Sequence, residues 1–139
     1  MAPMPTARMY VRTAVLGGKL YAAGGQDEAD EATFNLVERY DLATKAWEAV
    51  APMTTPRDSH AVAVLDGKLY AVGGFNEDDG PLSSVERYDP AVNMWEAVAP
   101  MGSARQTHAV AVLDGKLYAA GGGDDSLTSV ERYLSLIHI

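Results

Sequence analysis

The feature that most constrains this chain is that it repeats itself. Gly18-Lys19-Leu20-Tyr21-Ala22, Gly67-Lys68-Leu69-Tyr70-Ala71 and Gly115-Lys116-Leu117-Tyr118-Ala119 are spaced by 49 and 48 residues. A pair of glycines follows each: Gly24-Gly25, Gly73-Gly74 and Gly121-Gly122. Val-Glu-Arg-Tyr recurs at 37–40, 85–88 and 130–133, and Trp-Glu-Ala-Val-Ala-Pro-Met at 47–53 and 95–101. A period near fifty residues makes each unit a single supersecondary element that must stack on its neighbours to bury a core.

Each unit reads as four short strands. His60-Ala61-Val62-Ala63-Val64-Leu65 is a continuous apolar run rich in β-branched residues, the pattern of a strand covered on both faces. Asp66-Gly67 supplies the positive φ angles of a two-residue hairpin turn, so Lys68 to Val72 returns antiparallel. Gly17-Gly18 and Asp114-Gly115 do the same in the other copies. Ser84 to Tyr88 forms the third strand, Asp89-Pro90 turns the chain, and Met94 to Val98 forms the fourth. Residues 27 to 50 carry helix-forming residues, but their register with 77 to 98, which hold an Asp-Asp-Gly and an Asp-Pro, assigns them to strands. The recurring Tyr21, Tyr70, Tyr118, Tyr40, Tyr88, Trp47 and Trp95 are expected to pack between strands and blades.

This four-stranded unit, with glycines after its second strand and Tyr and Trp at fixed offsets in the last two, resembles the kelch repeat. In detail Pro-Arg, Ala-Val-Ala-Val-Leu-Asp-Gly-Lys-Leu-Tyr-Ala-Val-Gly-Gly and Ser-Val-Glu-Arg-Tyr-Asp-Pro are similar to the kelch-like (BTB-BACK-kelch) adaptors. The resemblance covers residues 1–133, with repeat units at about 5–53, 54–101 and a truncated 102–133. It implies an all-β fold, an incomplete kelch-type β-propeller of two full four-stranded blades and partial ones at the ends, because closure takes four to eight blades. The chain opens inside a repeat, Ala2-Pro3-Met4 matching Ala51-Pro52-Met53, and leaves the register after Tyr133. Residues 134–139, Leu-Ser-Leu-Ile-His-Ile, are also what CTG TCT CTT ATA CAC ATC encodes, the end of a sequencing-library transposon adaptor. On that reading they lie outside the biological protein, which continues past Tyr133.

Charge and composition narrow the function. Eleven Lys and Arg against nineteen Asp and Glu give 11 − 19 = −8, a field that repels nucleic acid and anionic membranes. The chain has no cysteine, hence no disulfide, thiolate zinc site or cysteine nucleophile. No apolar run reaches the length of a membrane span and the start is no secretory signal, so the expected location is cytoplasmic.

Catalytic signals are absent. There is no phosphate-cradling loop, nucleophile elbow or two-histidine zinc helix. His60 and His108 hold one position on neighbouring blades, about 10 Å apart, too far to share an ion. Asn76-Glu77-Asp78-Asp79-Gly80 lacks the spacing of a calcium loop. No cofactor and no metal are expected, and the chain is read as a non-enzyme. The alternatives are an actin-binding or scaffolding kelch protein, and a fragment of a kelch-fold oxidase or sugar isomerase.

Recognition is expected at the rim. From the second glycine to the following Val-Glu-Arg-Tyr the copies span 12, 11 and 8 residues, so the loop between second and third strands is the variable, and acidic, surface: Asp27, Glu28, Asp30, Glu31; Glu77, Asp78, Asp79; Asp124, Asp125. The resemblance implies partner contact just after the glycines and after the repeat arginine. Position by position these are Met9 and Tyr10 with Gln26 and Glu28, Asp58 and Ser59 with Phe75 and Glu77, and Gln106 and Thr107 with Gly123 and Asp125. Substitution of Ser59 is expected to alter binding alone. It further implies a protein or peptide ligand, and recruitment to a cullin-based ubiquitin ligase through BTB and BACK domains that this chain lacks. The invariant Arg8, Arg57 and Arg105 are expected to join blade to blade by bonds to backbone carbonyls, and Arg39, Arg87 and Arg132, each beside a glutamate, to be structural as well.

Overall fold

The computed structural model describes residues 1–123 and 129–135. Among the described residues the ordered elements are all strands. The first blade holds β1 (Arg12–Leu16), β2 (Lys19–Ala23), β3 (Val37–Asp41) and β4 (Ala46–Ala49). The second holds β5 (Ala61–Leu65), β6 (Lys68–Val72), a short hairpin of β7 (Phe75–Asn76) and β8 (Gly80–Pro81), then β9 (Val85–Asp89) and β10 (Met94–Val98). β11 (Ala109–Leu113), β12 (Lys116–Ala120) and β13 (Val130–Ser135) form the third. Each blade is an antiparallel meander, ordered β1-β2-β3-β4, β5-β6-β9-β10 and β11-β12-β13. No helix occupies residues 27–50; β3 and β4 do.

The turns are the ones the residues dictate. Gly17-Gly18, Asp66-Gly67 and Asp114-Gly115 all have positive φ at both positions, which matches the right-handed twist of the strands they join. Asp41 and Asp89 close the third-to-fourth-strand turns by accepting from the N–H of Ala43 (2.8 Å) and Ala91 (2.9 Å) on a carboxylate oxygen, as short acidic turn residues do.

Alternation along each strand gives a blade two faces, and stacking fills both. The β5 strand packs between β1 and β11. At the first seam Ala14, Leu16, Tyr21, Ala23 and Val37 of blade one meet Val62, Val64, Leu69, Ala71, Tyr88 and Trp95 of blade two. At the second, Ala63, Leu65, Tyr70, Val72 and Val85 meet Val110, Leu117 and Ala119. Residues of this size contribute about 1.5–3 kcal/mol each when fully buried, so the seams are the core. Tyr21 and Tyr88 touch across the first seam with centroids 5.7 Å apart. The Trp95 indole N–H donates to the Ala51 carbonyl (2.8 Å), and Trp47 repeats the bond to Ala2 (3.0 Å).

Burial differs between the copies. In blade two β5, β6 and β9 are covered on both faces, as expected for residues 60–65, whereas Val15, Val112 and Leu113 on the outer blades are exposed, because a blade face is buried only where another blade stands against it. For the same reason Trp47 and Tyr118 are half-buried while Trp95 and Tyr70 are buried. β13 pairs with β12 as far as Ser135, with a register shift between Lys116 and Leu117.

Replacing Trp95 by Ala removes a buried anchor and its bond to the linker, and is expected to cost about 3–5 kcal/mol. Urea titration of this variant beside Trp47→Ala checks it: Trp95→Ala should lower the midpoint much further.

Candidate functional site

The arginine after each linker builds the rim from beneath. Arg57 is buried and donates to the carbonyls of Gly73 (2.8 Å) and Ser84 (2.9 Å), to Ser84 Oγ (3.0 Å) and, through Nε and Nη2, to Glu86 (3.2 and 3.1 Å). Burial pulls its pKa down and the Glu86 carboxylate opposes that shift. Arg105 makes the same set to Gly121, Ser129 and Glu131, and Arg8 bonds Gly24, Leu36 and Glu38 without the hydroxyl contact or the Nε bond. The expected carbonyl bonds are present, but the guanidinium makes them inside one blade. The seam is crossed by the main chain: Gly25 N–H donates to the Arg57 carbonyl (2.8 Å) and Gly74 N–H to the Arg105 carbonyl (2.7 Å).

That close approach explains the glycines. An added Cβ on Gly73 would lie 2.6 Å from the Arg105 carbonyl oxygen, and φ there is +62°, so a larger residue is excluded twice over. Arg39 and Arg87 are structural too, although their partners differ from the neighbouring glutamates of the sequence. Arg39 pairs with Glu48 (2.6 Å) and Arg87 with Glu96 (2.5 Å) across the third and fourth strands, while Glu38, Glu86 and Glu131 serve the rim arginines.

Above this clamp the two sets of expected contact residues come together in pairs. Met9 and Gln26 exchange backbone hydrogen bonds (3.0 and 2.8 Å), as do Asp58 and Phe75 (3.0 and 2.9 Å), and Gly123 N–H donates to the Gln106 carbonyl (2.9 Å). Tyr10, Ser59 and Thr107 follow with φ of +55°, +51° and +52°, a kink that recurs at one position of every repeat. Tyr10 and Thr107 are exposed, as are Met9, Glu28 and Glu77; Gln26, Phe75, Gln106 and Gly123 are half-buried. Asp125 lies outside the described residues. Ser59 is buried and its carbonyl accepts from Thr107 N–H across the second seam (2.7 Å), so it is a less accessible contact than its position suggests.

A groove of about 480 Å³ crosses the first seam, lined by Gln26, Glu31, Thr33, Asp58, Phe75 and Glu77. Asp58 sits at its base, buried, with Thr33 Oγ1 donating to one carboxylate oxygen (3.1 Å). A second groove, of about 520 Å³, includes Met9, Asp27 and Glu28. Thr33 escaped the sequence reading because its loop has no register between copies. Its cue is local: Thr33 pairs with Gln26 as a β-bridge, the counterpart of the β7–β8 hairpin in blade two. There the Asn76 side chain holds the turn, accepting from Asp79 N–H (2.8 Å) and donating to the Pro56 carbonyl (3.0 Å).

His60 and His108 lie just under the rim, buried. Burial first, and then the nearby Arg57 charge, push His60 down to about 3; burial and Arg105 push His108 down to about 4.

Blades stacked side by side, tied by an arginine and a glycine pair at every seam, define a β-propeller architecture. Residues 2–138 match the family model described as the KLHDC2/KLHL20/DRC7 Kelch-repeats domain. The chain belongs to the kelch-repeat family, whose domains are generally protein-interaction modules. No curated protein matches the chain. Among the described residues, no helix is long and apolar enough to cross a membrane.

The histidines make stability depend on pH. The unfolded chain takes up these protons near pH 6.5, the folded chain only near 3 to 4, so stability falls as pH drops through that window and levels off below it. Urea midpoints measured from pH 7.5 to 4.5 should fall less steeply for His60→Leu than for the parent; identical slopes would contradict the assignment.

Proposed function

We propose that this chain binds a protein or peptide laid over the loop rim, and that it is the substrate-recognition part of a kelch-like adaptor for a cullin-RING ubiquitin ligase. One observation carries the first part. The same backbone device, a cross-paired residue followed by a positive-φ kink, recurs in each repeat, yet it presents Met9 and Gln26 in one, Asp58 and Phe75 in the next, and Gln106 and Gly123 in the third. A rigid scaffold displaying different side chains from equivalent positions suits recognition of an extended, non-repetitive ligand. The acidic loop residues add electrostatic attraction for basic segments of that ligand.

The ligase part rests on the resemblance of the repeat string to kelch-like adaptors. It requires BTB and BACK domains encoded in frame with this chain, and a transcript joining it instead to a signal peptide and metal-ligating blades would overturn it.

Peptides selected from a displayed library against the folded chain test the rim. Phe75→Ala and Tyr10→Ala are each expected to weaken the selected peptides by about tenfold or more, equivalent to about 1.4 kcal/mol. Val92→Ala, in the outer turn before β10, should leave binding unchanged. Peptides indifferent to both rim substitutions would contradict the proposal.

A further inference from the structure

The groove across the first seam holds a buried carboxylate that the protein itself only half satisfies. Asp58 at its base is 6% exposed, and its backbone N–H and carbonyl are both bonded to Phe75, so the carboxylate stands at a fixed place. Thr33 Oγ1 donates to Oδ2 (3.1 Å). Among the described residues no hydrogen bond reaches Oδ1, and no Lys, Arg or His pairs with Asp58. The guanidinium of neighbouring Arg57 is committed to Gly73, Ser84 and Glu86. An aspartate is almost never buried without a partner, and here the open side of the carboxylate meets the groove.

The other lining residues make the same demand. The Thr33 hydroxyl hydrogen is spent on Asp58, and Gln26 Nε2 donates to the Glu31 carbonyl (3.3 Å), which leaves both side chains an oxygen with open lone pairs. Glu31 and Glu77 add two exposed carboxylates, and the half-buried Phe75 adds an aromatic wall. No basic side chain lines this groove. The ligand group that fits carries several N–H donors, a positive charge and a flat face that stacks on a ring, which describes a guanidinium.

The second seam differs at each of these positions. Gln106 stands where Asp58 does and Gly123 where Phe75 does, and Pro81 pairs with Phe75 as Thr33 pairs with Gln26. Its equivalent residues are neutral, so selection of a cation belongs to the first seam and sets the register of a ligand along the rim.

We propose that the first-seam groove takes an arginine side chain of an extended peptide, its guanidinium donating to Asp58 and lying against the Phe75 ring. The proposal rests on recognition at the rim and names the residue that the groove selects.

Peptides selected from a random linear library against the folded chain test it, titrated at physiological salt. An arginine is expected at one fixed position, and its replacement by the neutral isostere citrulline should weaken binding about tenfold or more. On Asp58→Asn, which removes the charge and keeps the shape, the arginine and citrulline peptides should bind alike. Asp66→Asn removes an equal charge from the exposed hairpin tip at the far end of β5, a turn that Asn-Gly also forms, and should leave binding unchanged. If circular dichroism shows Asp58→Asn misfolded, Glu31→Gln combined with Glu77→Gln takes its place, and the citrulline penalty should shrink. Rim-dependent binders without a fixed arginine, a citrulline penalty that persists in full on the groove variant, or equal weakening by Asp66→Asn would each overturn the proposal and leave recognition at the rim standing. Peptides indifferent to both Tyr10→Ala and Phe75→Ala would overturn the rim reading, and this proposal with it.

Discussion

The structure depends on one buried arginine used twice. The Arg57 carbonyl accepts from Gly25 of the blade behind it, while its guanidinium is spent on Gly73, Ser84 and Glu86 of the blade ahead. A buried guanidinium is costly unless its donors are matched, and here two carbonyls, a hydroxyl and a carboxylate match them. The carboxylate in turn accepts from the N–H of Thr54 (2.7 Å) and Thr55 (3.2 Å), which ties down the linker that carries the arginine. Sheet, linker and next sheet are thus one hydrogen-bonded unit, repeated at Arg105.

Rigidity below permits variety above. With the seam held by backbone and arginine, the residue before the kink differs between copies, Met9, Asp58 and Gln106, and the loop between second and third strands changes length from copy to copy. That variable rim is the surface proposed for recognition. The glycine pairs serve it indirectly, since their missing Cβ atoms let the rim-bearing linker of the next blade approach.

Much of this was legible in the sequence because repetition acts as its own control. Strand order, turns and the arginine–carbonyl bonds followed from residues that hold register in all three copies. What the sequence concealed depends on three-dimensional neighbours. The pairing of Glu38 with Arg8 in place of adjacent Arg39 reflects the alternation of side chains across a strand, which sends neighbours to opposite faces. The burial of Ser59 comes from the Thr107 bond across a seam, and the groove wall at Thr33 from a loop without register. The exposure of Leu113 beside the burial of Leu16 is set by which blade has a neighbour.

The claim most worth testing is that the blades are tied at the glycine pair. Native-state hydrogen exchange read at Gly25 and Gly74 does so directly. The account predicts that both amides exchange as slowly as those of Tyr70 and Ala71 in the buried β6 strand, opening only with the seam itself. Exchange as fast as that of the hairpin-tip amide of Gly67 would contradict it.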